Sequence, residues 1–219
     1  MRLALVPSPF VGPSSWRSLE RLLPDAIVVD YGGVSAPDWY DGVADRIVRQ
    51  VDDQPWIAVL HSSAGGFAPS LAAASTRLEG FVFVDSILPH PGRSALANAP
   101  EAQIAQLRGL TTEGRIAAWN TWFPFDPAER WILDADARAP FLADIPRVPF
   151  AFLEADAPDH AGWEQLPAAF VQLSSGYETN AARAEQRGWP VRRARLNHLS
   201  MVGDPAAVAE LLSGLPKAG

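Results

Sequence analysis

The feature that most constrains this chain is the stretch PWIAVLHSSAGG at residues 55–66. An apolar run that ends at His61 has the length and composition of a buried strand. Two serines follow at once, and then Ala-Gly-Gly at 64–66 leaves room for the backbone to reverse sharply before a helix near Phe67. A serine on such a strained strand-to-helix turn projects its hydroxyl clear of the sheet, and the next amide points to the same place. The stretch therefore predicts a nucleophile elbow.

Either serine of this turn could be the nucleophile. An elbow usually has small residues two positions before and two positions after its serine. Each candidate breaks that pattern once, because Ser62 has Leu60 two positions before it and Ser63 has His61. Steric reasoning alone leaves both serines open.

The composition indicates one globular domain over residues 1–219. With 219 residues, of which 48% are hydrophobic, the chain is long enough to form one substantial core and too short for two. Its net charge of −7 comes without blocks of either sign, so we expect no nucleic-acid partner. It contains no cysteine, which excludes disulfides, thiolate metal sites and cysteine nucleophiles. The four histidines lack the spacing of metal ligands: His61, His90, His160 and His198.

Hydropathy predicts a cytoplasmic protein without a membrane partner. The apolar run at residues 3–6 is too short for the core of a signal peptide, and no apolar stretch approaches the length of a membrane span. We expect a small-molecule substrate and no cofactor, and a homodimer is compatible with the sequence.

Apolar runs and helical patterns alternate through the first 85 residues. Such alternation is typical of parallel strands joined by helical crossovers, with ligands bound at the carboxyl ends of the strands. Besides the elbow strand, the pattern predicts strands at 3–6, 26–30 and 81–85, and helices at 17–23, 39–51 and 67–76.

The strand signal disappears between residues 90 and 147, which predicts a helical cap insertion. Helix-like pieces are expected at 101–110 and 113–122. Trp119, Trp122 and Phe123 in this region are candidates for an apolar substrate pocket, and equally for the core of the cap.

The last third of the chain returns to strands and helices. Residues 177–187 form a predicted helix long enough for a parallel crossover between strands at 168–173 and 191–196. Residues 168–173 are therefore the predicted penultimate strand, and residues 148–153 a shorter edge or return segment. Asn197 and His198 directly follow the predicted last strand, and a closing helix is expected at 205–212.

A serine elbow after a middle strand and a histidine after the last strand follow the chain order of a hydrolase triad. In this order the chain resembles the α/β-hydrolase family over nearly its whole length. The runs that carry the resemblance are Leu5-Val6-Pro7-Ser8, Leu60-His61-Ser62, Phe83-Val84-Asp85, Gly188-Trp189-Pro190 and His198-Leu199.

The resemblance implies an α/β fold with a mostly parallel central sheet, helices on both faces and a small helical cap. It implies Ser62 as the nucleophile and His198 as the general base. The family more often has His-Gly where this chain has Pro7-Ser8, and glycine where it has Leu60.

The acid of the triad is the least regular member. Most of the family carries it after the penultimate strand, but residues 174–177 contain no carboxylate. A minority places it after the preceding strand, which implies Asp85. Glu154 and Asp156 are the alternatives, and an aspartate in the position of Asp85 could instead cap a turn.

The oxyanion hole requires two backbone donors. One is the amide after the nucleophile, which is Ser63 if Ser62 attacks. The other is expected in the loop after the first strand, where Pro9 has no N–H and Phe10 is the next candidate, followed by Ser8.

The predicted function is a serine hydrolase, similar to carboxylic ester hydrolases, that cleaves an ester, thioester or lactone of a small apolar acyl compound. One alternative is a non-hydrolytic enzyme of the same fold, such as a lyase, cyclase or acyl transferase. Another is a catalytically silent binding protein, which is favoured by the departures from the family pattern at Leu60 and Pro7-Ser8.

Overall fold

The computed structural model describes residues 1–97 and 99–213. Asn98 and the last six residues of the predicted domain lie outside the described residues.

The centre of the molecule is a six-stranded sheet in which every neighbouring pair is parallel. Its strands are β1 (Arg2–Val6), β2 (Ala26–Val28), β3 (Trp56–His61), β4 (Leu78–Val84), β7 (Ala168–Gln172) and β8 (Val191–Arg193). They lie in the order β2-β1-β3-β4-β7-β8, so the predicted parallel sheet and its penultimate strand are confirmed.

The elbow strand β3 lies in the interior of this sheet. All six of its residues are buried, which is why its sequence is continuously apolar rather than alternating. Successive side chains face opposite sides: Ala58 and Leu60 join one hydrophobic cluster, while Ile57 and Val59 join the other. The fold thereby holds the end of β3 between two packed layers.

Helices cover both faces of the sheet, as the sequence predicted. The first layer contains α2 (Asp41–Val51), α3 (Ala68–Ala74) and α8 (Glu178–Gln186). The second contains α1 (Ser14–Glu20), α9 (Ser200–Gly203) and α10 (Pro205–Ser213). Observed helix boundaries differ from the predicted ones by a few residues.

The segment between β4 and β7 contains α4 (Glu101–Gly109), α5 (Pro127–Trp131), α6 (Ala135–Ala143) and α7 (Phe150–Glu154). These helices divide between the two layers. Leu107 of α4 and Phe152 of α7 belong to the cluster with α2 and α3, whereas Phe141 of α6 packs with α1 and α9. Whether residues 90–147 act as a cap stays a prediction.

Two predictions in this segment are wrong. Residues 148–153 are not an edge strand. The edge strands of the sheet are β2 and β8, and this run instead forms α7 after Pro149, which buries Phe150 and Phe152 in the cluster with α2 and α3. Residues 113–122 are not a helix. Glu113 and Gly114 have φ of 53° and 73°, the two positive values of a tight hairpin turn, and join β5 (Thr111–Thr112) to β6 (Arg115–Ile116).

No helix within the described ranges is long and apolar enough to cross a membrane. In the same part of the chain no three His, Cys, Asp or Glu side chains are grouped as metal ligands would be.

Candidate active site

Ser62 occupies the strained position of the elbow. It directly follows β3 and has φ of +56°, in the left-handed region that non-glycine residues rarely adopt, whereas Ser63 has no positive φ. A 3₁₀ turn then covers Ser62–Phe67. Ser62 is buried, with 7% of its surface exposed. The backbone strain expected of an elbow therefore falls on Ser62.

The loop after β4 fixes this turn. The Ser62 carbonyl accepts hydrogen bonds from the Ile87 amide at 3.0 Å and the Ser86 hydroxyl at 2.7 Å. The same loop explains Gly65, because a Cβ there would lie 2.0 Å from the Ile87 carbonyl oxygen. The glycine is required by the close approach of two backbones.

His198 and Asp85 meet beside this turn. His198 Nδ1 lies 3.0 Å from Asp85 Oδ2, although the two residues are 113 positions apart in the chain. Asp85 is fully buried. A carboxylate oxygen accepts hydrogen bonds, so Nδ1 carries the proton and Nε2 is left as an acceptor. That is the tautomer a general base needs toward a serine hydroxyl.

The Asp85 carboxylate has three further donors, all on the loop after β7. Oδ1 accepts from the amides of Leu173 at 2.7 Å and Ser174 at 3.0 Å. Oδ2 accepts from the Ser174 hydroxyl at 2.6 Å. The loop where the family more often carries its acid thus supplies donors that orient Asp85.

The two alternative acids lie elsewhere. Glu154 is half-exposed and pairs with Arg108 at 3.4 Å. Asp156 forms an isolated bridge with Ser94. In the part of the chain that the structure describes, neither carboxylate is hydrogen-bonded to His198, so Asp85 is the carboxylate that the fold brings to this histidine.

His61 contacts both the backbone and the ring of His198. Its Nε2 donates to the His198 carbonyl at 3.2 Å, and the two rings lie 4.4 Å apart. Burial, and then the nearby His198, hold the pKa of His61 well below its usual range, so the ring is neutral. The sequence assigned no function to His61, and the structure gives it a contact that fixes the backbone of His198.

The Ser62 hydroxyl is hydrogen-bonded to Tyr177, a residue that the sequence analysis assigned only to a helix. The two oxygens are 3.1 Å apart. The Tyr177 ring also lies flat against the His198 imidazole, with 5.0 Å between centroids and 9° between planes. Burial raises the pKa of Tyr177 to about 12, so the phenol is a neutral donor at ordinary pH. Nothing in the sequence around Tyr177 distinguished it.

The two residues that are predicted to supply oxyanion donors line the same cavity. Ser63 and Phe10 contribute to the lining of an open cavity of about 740 Å³. The Phe10 amide makes a long hydrogen bond of 3.4 Å to the Ser8 hydroxyl. Because this bond is weak, the amide could exchange it for an oxyanion at low cost.

The three predicted pocket aromatics differ in position. Trp122 lines the cavity with Ser63 and packs edge-to-face on Phe10 at 5.0 Å. Trp119 lies 5.9 Å from the His198 ring, between centroids. Phe123 is 39% exposed and contacts Trp119, so it lies further out.

Comparisons with known proteins identify the fold. Neither a scan of protein-family models nor a search of curated proteins matches the sequence. Among solved structures, an extracellular α/β-hydrolase from a Paenibacillus species is 18% identical with a TM-score of 0.74, covering 100% of this chain and 99% of that one.

Two other structures are similar at the same level. A pyrethroid hydrolase from Sphingobium faniae is 15% identical with a TM-score of 0.68, covering 97% and 96% of the two chains. An enzyme that degrades N-acyl homoserine lactones is 17% identical with a TM-score of 0.61, covering 99% and 93%. Parallel strands in this order, an elbow after β3 and a histidine after β8 agree with these similarities, and the chain has the α/β-hydrolase fold.

Proposed function

We propose that this chain is a serine hydrolase acting on an ester, thioester or lactone of a small, largely apolar compound. The observation that carries the proposal is the 3.0 Å hydrogen bond between His198 Nδ1 and the buried Asp85, beside a serine with the φ of an elbow. Similar folds named for hydrolysis and lactone degradation support the same class of reaction.

In the proposed reaction, the Ser62 hydroxyl turns from Tyr177 toward the free Nε2 of His198. His198 accepts the proton as the serine oxygen attacks the substrate carbonyl. The Asp85 carboxylate stabilises the imidazolium that forms. His198 then returns the proton to the leaving alcohol or thiol, which leaves an acyl group on Ser62.

Water completes the cycle by the same route. His198 removes a proton from water, the hydroxide attacks the acyl carbon, and the Ser62 oxygen regains a proton as the acid departs. Both tetrahedral intermediates carry a negative oxygen, for which the Ser63 and Phe10 amides are the proposed donors.

Tyr177 has a proposed part in this reaction. Its hydroxyl already lies 3.1 Å from Ser62 Oγ, so it remains beside the tetrahedral centre that forms on that oxygen. As a neutral phenol it can donate a hydrogen bond to an oxygen of the intermediate. The stacking of its ring on His198 limits the positions that the imidazole can adopt.

The Tyr177 contact also favours a second candidate, the non-hydrolytic enzyme. A lyase or acyl transferase could use Ser62, His198 and a tyrosine donor for proton transfer without water as the nucleophile.

Labelling with a fluorophosphonate tests the serine assignment. We expect one adduct, mapped by peptide mass spectrometry to Ser62, and burst release of 4-nitrophenol from 4-nitrophenyl butyrate. Ser62→Ala should abolish both, whereas the matched neighbour variant Ser63→Ala should keep the label and part of the turnover. An adduct on Ser63 would shift the elbow by one residue. A folded protein that takes no label and cleaves no ester would favour the non-hydrolytic or silent alternatives.

A further inference from the structure

The cavity beside the elbow has one apolar part and one cationic part. Phe10, Leu107, Trp122 and Leu153 contribute aromatic and aliphatic surface. Three arginines contribute positively charged groups to the lining: Arg93, Arg183 and Arg187. Among the described residues, no aspartate or glutamate lines this cavity.

This absence of carboxylates is unusual for the chain. Acidic residues outnumber basic ones by 25 to 18, so a wall chosen at random would carry more negative than positive groups. Three guanidinium groups around one opening create a positive potential that attracts anions and is strongest at low ionic strength.

Two of these arginines lie on or next to helix α8: Arg183 is within the helix and Arg187 directly follows its last residue. Asn180, Arg183 and Arg187 recur at intervals of three and four residues, which places them along one face, and all three line the cavity. The two acidic residues of α8 are engaged elsewhere: Glu185 pairs with Arg193, and Glu178 accepts a hydrogen bond from Gln172. The face of α8 toward the cavity is therefore positive and carries an additional amide donor.

The side chains of Arg183 and Arg187 have different surroundings. The Arg187 guanidinium lies over the rings of Trp163 and Trp189, at 5.5 Å and 5.6 Å from their centroids, so its position is fixed while its charge has no anionic partner there. The Arg183 side chain is exposed and, within residues 1–97 and 99–213, makes no hydrogen bond or ion pair. It is available to a ligand.

From this arrangement we infer that the substrate bears an anionic oxygen group, of the carboxylate class, separated from the reacting carbonyl by an apolar portion. The inference rests on the proposed hydrolase and specifies its substrate. Ser63 and Phe10 place the reacting carbonyl at the apolar part of the cavity, and Arg183 binds the anion through charge-assisted hydrogen bonds.

Pairs of esters that differ by one carboxylate test the inference. Mono-4-nitrophenyl adipate carries a carboxylate where 4-nitrophenyl hexanoate has a methyl group, and 4-butyryloxybenzoate carries one on the alcohol side relative to phenyl butyrate. After correction for uncatalysed hydrolysis, at least one pair should favour the anion by roughly tenfold in kcat/KM, as one exposed charge-assisted contact would give. The preference should shrink as salt is raised.

Variants of Arg183 make the test specific. Arg183→Gln should remove most of the preference and Arg183→Glu should reverse it, with kcat/KM for the neutral ester within about twofold of the parent. Arg21→Gln, which changes another exposed arginine directly after α1 in the other helix layer, is the control and should keep the preference. Neutral esters favoured equally by the parent and by Arg183→Glu would overturn the inference.

A binding measurement separates this inference from the hydrolase proposal. Calorimetric titration of Ser62→Ala with adipate should detect binding that Arg183→Glu, added to the same background, abolishes. Binding without any ester turnover by the parent would refute the hydrolase and retain the anion site. Turnover with no adipate binding and no charge preference would refute the anion site alone.

Discussion

Replacing Asp85 by asparagine should nearly abolish hydrolysis by putting His198 in the wrong tautomer. Asp85 Oδ1 accepts two backbone amides, from Leu173 and Ser174, whereas Oδ2 faces His198 Nδ1 and the Ser174 hydroxyl. An asparagine keeps its oxygen on the two amides, because the opposite orientation would set an NH₂ group against two N–H donors. The NH₂ group then faces His198 and donates to Nδ1.

The magnitude follows from that reversal. With Nδ1 as an acceptor, the proton moves to Nε2, which can no longer take one from Ser62. The same replacement in a serine protease lowers kcat by about 10⁴, which corresponds to about 5.5 kcal/mol of activation free energy. Folding should suffer much less, because the two amide bonds survive; we expect a loss of about 1–2 kcal/mol in the free energy of unfolding.

The assay compares kcat/KM for 4-nitrophenyl butyrate with urea unfolding of the same preparations. Ser174→Ala is the matched control, since it removes one donor to Asp85 and leaves the His198 bond, and it should cost only a few fold in rate. Activity of Asp85→Asn within tenfold of the parent, in a folded protein, would refute the role of Asp85 in setting the tautomer.

Three further variants test the remaining parts of the site. His198→Ala should lower turnover by several orders of magnitude without unfolding the protein, as measured by steady-state kinetics and circular dichroism. The control variant His90→Ala should keep most of the activity. Retained turnover in His198→Ala would exclude His198 as the base. Tyr177→Phe should lower kcat by roughly ten- to a hundredfold at nearly constant KM, since one donor to the intermediate is lost, and an equal or faster variant would limit Tyr177 to the resting state. Trp122→Ala should raise KM for hexanoate esters more than for acetate esters with little change in kcat, because it removes apolar cavity wall; a uniform fall in kcat would contradict this.

The sequence alone determined most of the strands and the location of the elbow. These features are local: a continuous apolar run is compatible with a buried parallel strand, and small residues after a serine permit a sharp turn. The positions of β3, β7 and α8, and of His198 after β8, could be read in this way.

Local pattern failed where a neighbour decides the conformation. Residues 148–153 are as apolar as a strand, but after Pro149 the chain forms a helix that buries Phe150 and Phe152 in the hydrophobic cluster with α2 and α3. At Glu113, the backbone adopts a positive φ that its side chain does not favour, so the hairpin was invisible in the helical pattern.

Only the tertiary structure decided which side chains meet. An apolar pattern predicts that a strand is buried, but it does not predict which strands lie beside it. Asp85 reaches His198 because β4 lies between β3 and β7. The contact of Tyr177 with Ser62 depends on the same order, since it brings the loop after β7 over the elbow. Steric reasoning left Ser62 and Ser63 open and the family resemblance implied Ser62; the structure adds that the positive φ falls on Ser62, whose carbonyl is bonded to Ser86 and Ile87 of another loop.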